Sequence, residues 1–421
     1  MKEIKIDPKM FISPPFQKCP KCGQPDTFGT LMVNDNSFMR RCSSCWHTDS
    51  IPLPILNKKV IYIDQFAISD MMKALNTRTK AYKKGSVDIF WRTLFEKLDR
   101  LCKLQLIICP DSYIHTNESL MMTGYFEELE RMYELLSHGV TFGNQDAIKG
   151  GQLYEHALNW ASRNPEKPIS LNIHDVIYGK INAWQSRFIV SVKMNFQASI
   201  EAIREFRNCV CSEMAEMFQR WQSEKGKQFK HLLEYEYKRL LKKLFYNYVS
   251  YLQGNTKMTF EDISKLYIKA IHDAFKEAGI PEGEIWNRTM EYLNSKYIRE
   301  IPFIKISALF FAAIARKTAN GGKKNPPEPG MANDIDIISV ILPYCDAIFI
   351  DKKCHAYLKE KPLCDEVNYG TKIFSVNNKD KFLEYLDSIE NSATKEHLFW
   401  VRQVYGDKWD KPYTELYAES V

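Results

Sequence analysis

The stretch Asn333–Lys353, NDIDIISVILPYCDAIFIDKK, reads as a helix handed on to a strand. Asp334 and Asp336 open a short apolar helix that Pro343 stops, because proline lacks the N–H that a helix interior needs. The run Ala347-Ile348-Phe349-Ile350 then reads as a buried strand that delivers Asp351 at its carboxyl end. In open α/β sheets, ligands bind in the crevice beyond the carboxyl ends of the strands, where loops and helix starts converge. A matching stretch lies upstream in Lys59–Asp70, KVIYIDQFAISD, where Val60-Ile61-Tyr62-Ile63 is a nearly continuous apolar run ending in Asp64. Parallel strands covered on both faces have this composition.

Two further strands complete the pattern. Leu104–Pro110 is apolar and closed by proline, and Thr371–Val376 precedes an amphipathic helix expected over Lys379–Ile389. After the first of these comes PDSYIHTNE, in which Ser112, His115 and Glu118 recur every three residues and share roughly one face of a helix. For Asp111 and Ser112 the favoured reading is a helix N-cap. His115 is open to two readings, a proton-transfer partner for Glu118 or a structural histidine.

From Gly124 to about Lys317 the chain is aromatic-rich and helical in pattern, with apolar three-and-four spacing over Phe126–Leu136, Val176–Asn208, Met214–Tyr251 and Phe260–Glu277. That is more helix than a single crossover needs, so it reads as an insertion. One part of it, Lys225, Lys227, Lys230, His231, Lys238, Arg239, Lys242 and Lys243 interleaved with Tyr235, Tyr237, Phe245, Tyr246 and Tyr248, has the composition of a phosphate-binding, base-stacking face. The bland reading, a solvated helix face with a core-facing aromatic stripe, is favoured. Thr318–Gly330, TANGGKKNPPEPG, reads as a loop at the edge of the acidic segment. Its Gly321-Gly322-Lys323-Lys324 lacks P-loop spacing.

Near the start, Cys19-Pro20-Lys21-Cys22 and Cys42-Ser43-Ser44-Cys45 are two C-x-x-C pairs separated by nineteen residues. This spacing suits a structural Zn2+ held by Cys19, Cys22, Cys42 and Cys45 in a hairpin ribbon. His47 is then a bystander, since four sulfurs fill the shell. Lys18, Lys21, Arg40 and Arg41 surround the knuckles and suit phosphate contacts. Ile51-Pro52-Leu53-Pro54 reads as a stiff linker.

The expected division is a ribbon over 1–50, a linker over 51–58, an α/β domain in two parts over 59–123 and 305–391, a helical insertion over 124–304 and a tail over 392–421. At 421 residues and a net charge of +6, the chain has an ordinary globular composition that permits a polyanionic partner without requiring one. The longest apolar run, Ile306–Ala315, is too short to cross a bilayer, so no membrane association is expected. Met1–Lys9 is charged and is followed by no long apolar segment, and with metal-spaced cysteines this favours a reduced, cytoplasmic setting.

Acidic residues thus stand at the ends of the inferred strands or at helix starts: Asp64, Glu118, Asp334 or Asp336, and Asp351. Oxygen-only ligands of this kind suit Mg2+ or Mn2+, which activate water for phosphoryl hydrolysis. Asp334 and Asp336, two residues apart, point to different sides of a helix, so one is the direct ligand. Asp336 is the preferred one, with Asp334 as the cap.

In YIDQ, Glu118, NDIDI and FID, the sequence resembles the PIN-like nuclease superfamily, and LPYCDAIFID, Leu342–Asp351, is the most specific local match. The resemblance covers about Lys59–Leu120 and Lys305–Ile389, and the helical middle has no counterpart in it. It implies an α/β, PIN-like parallel sheet flanked by helices. It also implies a metal-dependent endonuclease, RNA favoured over DNA, with Asp64, Glu118, Asp336 and Asp351 catalytic and Asp334 among the cation-binding residues. The competing expectation is a catalytically silent zinc-ribbon and PIN-like scaffold that binds nucleic acid or a protein partner. A protein partner or a second copy would dock through the helical insertion.

Overall fold

β-Branched and aromatic residues alternate faces along Lys59–Ile63 and make it the central strand of the main sheet in the computed structural model, which describes residues 7–121, 124–186, 200–252 and 260–418. The chain begins with an antiparallel ribbon, β1 (Ser13–Gln17), β2 (Phe28–Val33), β3 (Ser37–Cys42) and β4 (Thr48–Pro52), paired in sequence order. Ile51 and Pro52, expected in the linker, pair with Phe38 and Ser37 as the end of β4. Only glycine fits at Gly29, where a Cβ would lie 2.8 Å from the Phe16 ring and 2.9 Å from the Ser13 carbonyl oxygen.

Next come β5 (Lys59–Ile63), α1 (Gln65–Leu75), a short α2 (Lys80–Lys83), α3 (Ile89–Lys103), β6 (Ile107–Ile108), α4 (Tyr113–Met121) and α5 (Phe126–Ser137). The middle contains β7 (Thr141–Phe142), α6 (Gln145–Ala161), β8 (Ile177–Tyr178), α7 (Ile200–Ser223), α8 (Phe229–Leu252), α9 (Phe260–Glu277) and α10 (Glu282–Leu293). The chain then runs through α11 (Pro302–Ala319), α12 (Pro329–Ile341), β9 (Ala347–Phe349), α13 (Lys352–Leu358), α14 (Leu363–Glu366), β10 (Lys372–Phe374), α15 (Lys379–Asn391) and α16 (Lys395–Tyr405).

The fold is mixed α/β with a parallel four-stranded sheet, in the order β10-β9-β5-β6. Alternation along the strands gives the sheet two buried faces. Val60, Tyr62, Ile348 and Ile350 pack with residues of α11 and α12, including Phe310, Ile338 and Ile341. Ile61, Ile63, Ala347 and Phe349 pack with Met71 of α1, Leu94 and Leu98 of α3, Leu129 of α5 and Phe382 of α15. The apolar run Ile306–Ala315 forms the interior of α11, with all but Phe311 buried. Among the described residues no helix is long and apolar enough to cross a membrane.

Several elements depart from the sequence expectation. Only Ile107 and Ile108 of the expected strand Leu104–Pro110 pair in the sheet. Of the helix expected over Val176–Asn208, residues 177–178 form β8, 187–199 lie outside the described residues, and helix resumes at Ile200. The helix expected over Met214–Tyr251 is two helices, broken where Gly226 adopts a left-handed backbone conformation, φ 76°. Helix α12 starts at Pro329, not near Asp334, because Pro329 occupies the first turn, where its missing N–H costs nothing. The tail folds as α16 against the ribbon: Val401, Val404 and Tyr405 pack with Val33, Phe38, Leu53 and Leu56.

Candidate functional site

Strand β5 runs directly into α1, and Asp64 at the junction caps that helix, its carboxylate accepting the Gln65 N–H at 2.7 Å. Asp351 stands in the same relation to β9 and α13 and accepts the Lys353 N–H at 2.7 Å. Because β5 and β9 are hydrogen-bonded neighbours, with Ile63 opposite Phe349, the two aspartates emerge side by side. The backbone N–H of Asp351 faces the Asp64 carboxylate, and the Asp351 charge acts on Asp64.

Glu118 on α4 and Asp334 on α12 complete the group. Burial, opposed by the Gln65 N–H and reinforced by the Asp351 charge, raises the Asp64 carboxyl to about 6. Burial and the Asp64 charge raise Glu118 to about 8, against the opposing pull of Arg207 on α7. Burial and the charges of Asp64, Glu118 and Asp351 raise Asp334 to about 9, against the pull of Lys353. Burial is the largest cause in each case, and the neighbouring carboxylates add to it.

Asp336, preferred from sequence as the direct ligand, is engaged elsewhere. Its two carboxylate oxygens accept from the Lys149 ammonium at 2.6 and 2.9 Å. Lys149 also lies 3.6 Å from Asp146, which accepts from the Tyr267 hydroxyl at 2.5 Å. The earlier start of α12 places Asp334 in the second turn, where it faces the other acidic residues, and it is no cap; Glu328 occupies the N-cap position. Asp334, and not Asp336, therefore faces the other acidic residues, and neither caps the helix. Arg207 was missed from sequence, and no local signal marks it.

Ser112 takes the capping part expected of it, its hydroxyl accepting the His115 N–H at 3.4 Å. The His115 ring is stacked between Tyr62 and Tyr133, with centroids at 5.1 and 4.7 Å, and burial holds it down at about 3. It is a neutral packing element below the carboxylates, not a proton carrier near neutral pH.

The thiols form the tighter cluster. Cys19, Cys22, Cys42 and Cys45 have sulfurs all within 4.8 Å of one another, with 3.6 Å between Cys19 and Cys45 and 3.7 Å between Cys22 and Cys42. A tetrahedron with zinc–sulfur bonds of about 2.3 Å has edges of about 3.8 Å, so the four sulfurs fit a structural zinc ion. The N–H groups of Ser44 and Cys45 point at Cys42 Sγ from 3.3 and 3.4 Å, which favours its thiolate form. His47 stacks on Phe28.

Among the described residues, only the thiols bring three or more candidate ligand atoms this close together.

Four of the basic residues singled out in the sequence, Arg40, Lys238, Arg239 and Lys243, are engaged within the protein. Arg40 is 1% exposed and donates to the Gln403 carbonyl at 2.8 Å, so it faces the protein interior and not a phosphate. Arg239 and Lys243 pair with Glu213, Lys238 with Glu234, and the Tyr235 ring is covered by Arg220. The side chain of Tyr248 lies outside the described residues. In comparison with known proteins, no family model, curated protein or solved structure matches the chain.

Proposed function

We propose that the protein is a divalent-cation-dependent phosphodiesterase that cleaves nucleic acid, RNA favoured. The observation that supports this reading is the gathering of Asp64, Glu118, Asp334 and Asp351 from four separate elements, with three of the carboxyls pushed above their ordinary range by burial and by one another. A divalent cation would offset that repulsion and let the carboxyls ionise. The resemblance of YIDQ, NDIDI and FID to PIN-like nucleases points the same way.

When bound, a magnesium or manganese ion would supply an activated water and neutralise charge on the leaving oxygen. Asp64 and Asp351, oriented by the Gln65 and Lys353 N–H groups, would hold the ion together with Glu118 and Asp334 in their deprotonated forms. Arg207 and Lys353 act on this group electrostatically, and Lys353 is also paired with Glu328 at 2.8 Å. Lys149 is a positioning residue, holding α12 through Asp336 so that Asp334 faces inward.

The test is cleavage of single-stranded RNA and DNA with manganese, comparing wild type with Asp64→Asn, Asp334→Asn and Asp351→Asn. Loss of cleavage in all three folded variants is the expected result. Wild-type silence on every substrate would leave the scaffold reading in its place.

A further inference from the structure

The ribbon has two faces, and strand register separates them. Phe38, Arg40 and Thr30 belong to the face closed by α16: Phe38 clusters with Val401 and Val404, and the other two donate to the Gln403 and Val404 carbonyls. Side chains alternate along a strand, so Met39 and Arg41 point the other way. On that outer face Arg41 stands between Gly29 and Thr48 of the neighbouring strands, and Met39 between Met32 and Ser50. Met32 is exposed there, as are Met10, Phe11 and Trp46 at its margin.

Cations and rings alternate across this face. The Phe16 ring fills the space that a side chain at Gly29 would need, and the Lys9 ammonium lies 5.7 Å from its centre. Arg41, paired with Gly29, comes next: its guanidinium is 5.7 Å from the centre of the Phe11 ring and 4.8 Å from that of Trp46. Phe11 and Trp46 are 51% and 55% exposed, so both rings keep surface open to solvent. Trp46 follows Cys45, whose sulfur is 3.6 Å from that of Cys19, and this brings the exposed Lys18 and Lys21 to the same end of the ribbon.

Two observations set this face apart from ordinary surface. Trp46 has φ 59°, in the left-handed region that suits glycine and strains a bulky residue. Its contact with Arg41 lies at the surface, where such contacts are weak, so stability of the ribbon does not account for an indole at this position. The cations, moreover, lack acidic partners. Among the described residues no carboxylate pairs with Lys9, Lys18, Lys21 or Arg41, and the Arg41 Nη2 is buried without a hydrogen-bond partner. Of the ribbon's aspartates, Asp35 pairs with Lys180, Asp49 lies opposite Arg40 on the inner side, and Asp7 caps the turn leading to Phe11; Asp26 is exposed beside the first knuckle.

Such a face complements a polyanion whose flat groups are free to stack, because cations hold phosphates and exposed rings accept unpaired bases. A second copy would set the same cations against one another, and an apolar protein surface would leave them without counter-charge. We propose that the outer face of the ribbon binds single-stranded nucleic acid, its phosphates against Arg41, Lys9 and the knuckle lysines and its bases stacked on Trp46 and Phe11. The site uses none of the clustered carboxylates, so it stands whether or not the acidic group cleaves.

Fluorescence anisotropy of a labelled oligouridine of about 12 nucleotides with the full chain, without added magnesium or manganese, is the test. The expected result is binding that weakens with salt and that unlabelled duplex RNA competes away poorly. Trp46→Gly removes the ring while relaxing the backbone, and should weaken binding about tenfold. Replacing Lys18 and Lys21 together by alanine should reduce the log–log salt slope by about 1.4. Full affinity in Trp46→Gly, an unchanged salt slope in the lysine variant, or competition by duplex as effective as that by single strand overturns the proposal. So does absence of binding, and self-association of the wild type that Trp46→Gly abolishes would then assign the face to a second copy.

Discussion

The Lys149 ammonium grips both carboxylate oxygens of Asp336, across 187 residues of sequence, and so removes from the acidic group the residue that its position in NDIDI would otherwise put there. Lys149 has a side chain only 11% exposed, whereas Asp336 is 42% exposed, so the pair is anchored at the lysine end. Asp336→Asn is expected to keep most cleavage activity while lowering stability by about 1–2 kcal/mol, since Asp146 remains as a partial partner for the lysine. Asp334→Asn is expected to abolish cleavage and to leave stability unchanged or raised, because it relieves repulsion. Denaturant melts and cleavage rates of the two variants, measured side by side, check this; the opposite pattern would return the ligand role to Asp336.

Metal and pH are coupled at the same site. Unfolded carboxyls titrate near about 4, and the folded values of Asp64, Glu118 and Asp334 are about 6, 8 and 9. Between those limits the native state holds more protons than the unfolded chain, so metal-free stability falls as pH rises through the window. A bound divalent cation offsets the penalty, so the gain in Tm on adding magnesium should grow from about pH 5 to about pH 9. Thermal melts with and without magnesium across that range give the measurement. The growth should be smaller in Asp334→Asn, and a gain that does not vary with pH would mean that no cation reaches the carboxylates.

His115 titrates in the opposite sense. Its folded value of about 3 lies below the unfolded value of about 6.5, so the unfolded chain binds the extra proton between these limits. The stabilisation is complete above about 6.5 and is lost as pH falls through the window. His115→Phe keeps a ring between Tyr62 and Tyr133 and should flatten this acid-side loss without changing the shape of the pH–cleavage profile. A displaced limb in that profile would give His115 a part in proton transfer.

The ribbon should contain zinc in stoichiometric amount, measurable by elemental analysis of the purified chain. Cys42→Ser removes a buried ligand and should release the metal and expose residues 7–52 to protease, because binding free energy at such sites is about 10 kcal/mol or more and is folding free energy. Full protease resistance in the zinc-free variant would show that the ribbon stands without its ion.

The strand ends were legible because burial on both faces leaves a near-continuous apolar run, and Asp64 and Asp351 are the first acidic residues after two such runs. The four thiols were legible from spacing alone. Misplacing the start of α12 had a specific cause: Pro329 and Gly330 look like loop, yet proline is favoured in a first helical turn. That error of more than a turn reversed the facing of Asp334 and Asp336. Lys149 and Arg207 could not have been foreseen, since each meets the acidic segment only through packing of elements far apart in sequence. Arg40 was misread for a related reason, as its partner, the Gln403 carbonyl, lies 363 residues downstream.

Helix α16 clasps the ribbon through Arg40 to Gln403 and through the Thr30 hydroxyl, which donates to the Val404 carbonyl at 3.3 Å. The ribbon and α16, far apart in the sequence, thus meet like the two halves of a buckle. Trimming the chain from the carboxyl end to residue 392 would uncover Phe38 and Leu53 and loosen the amino-terminal segment too.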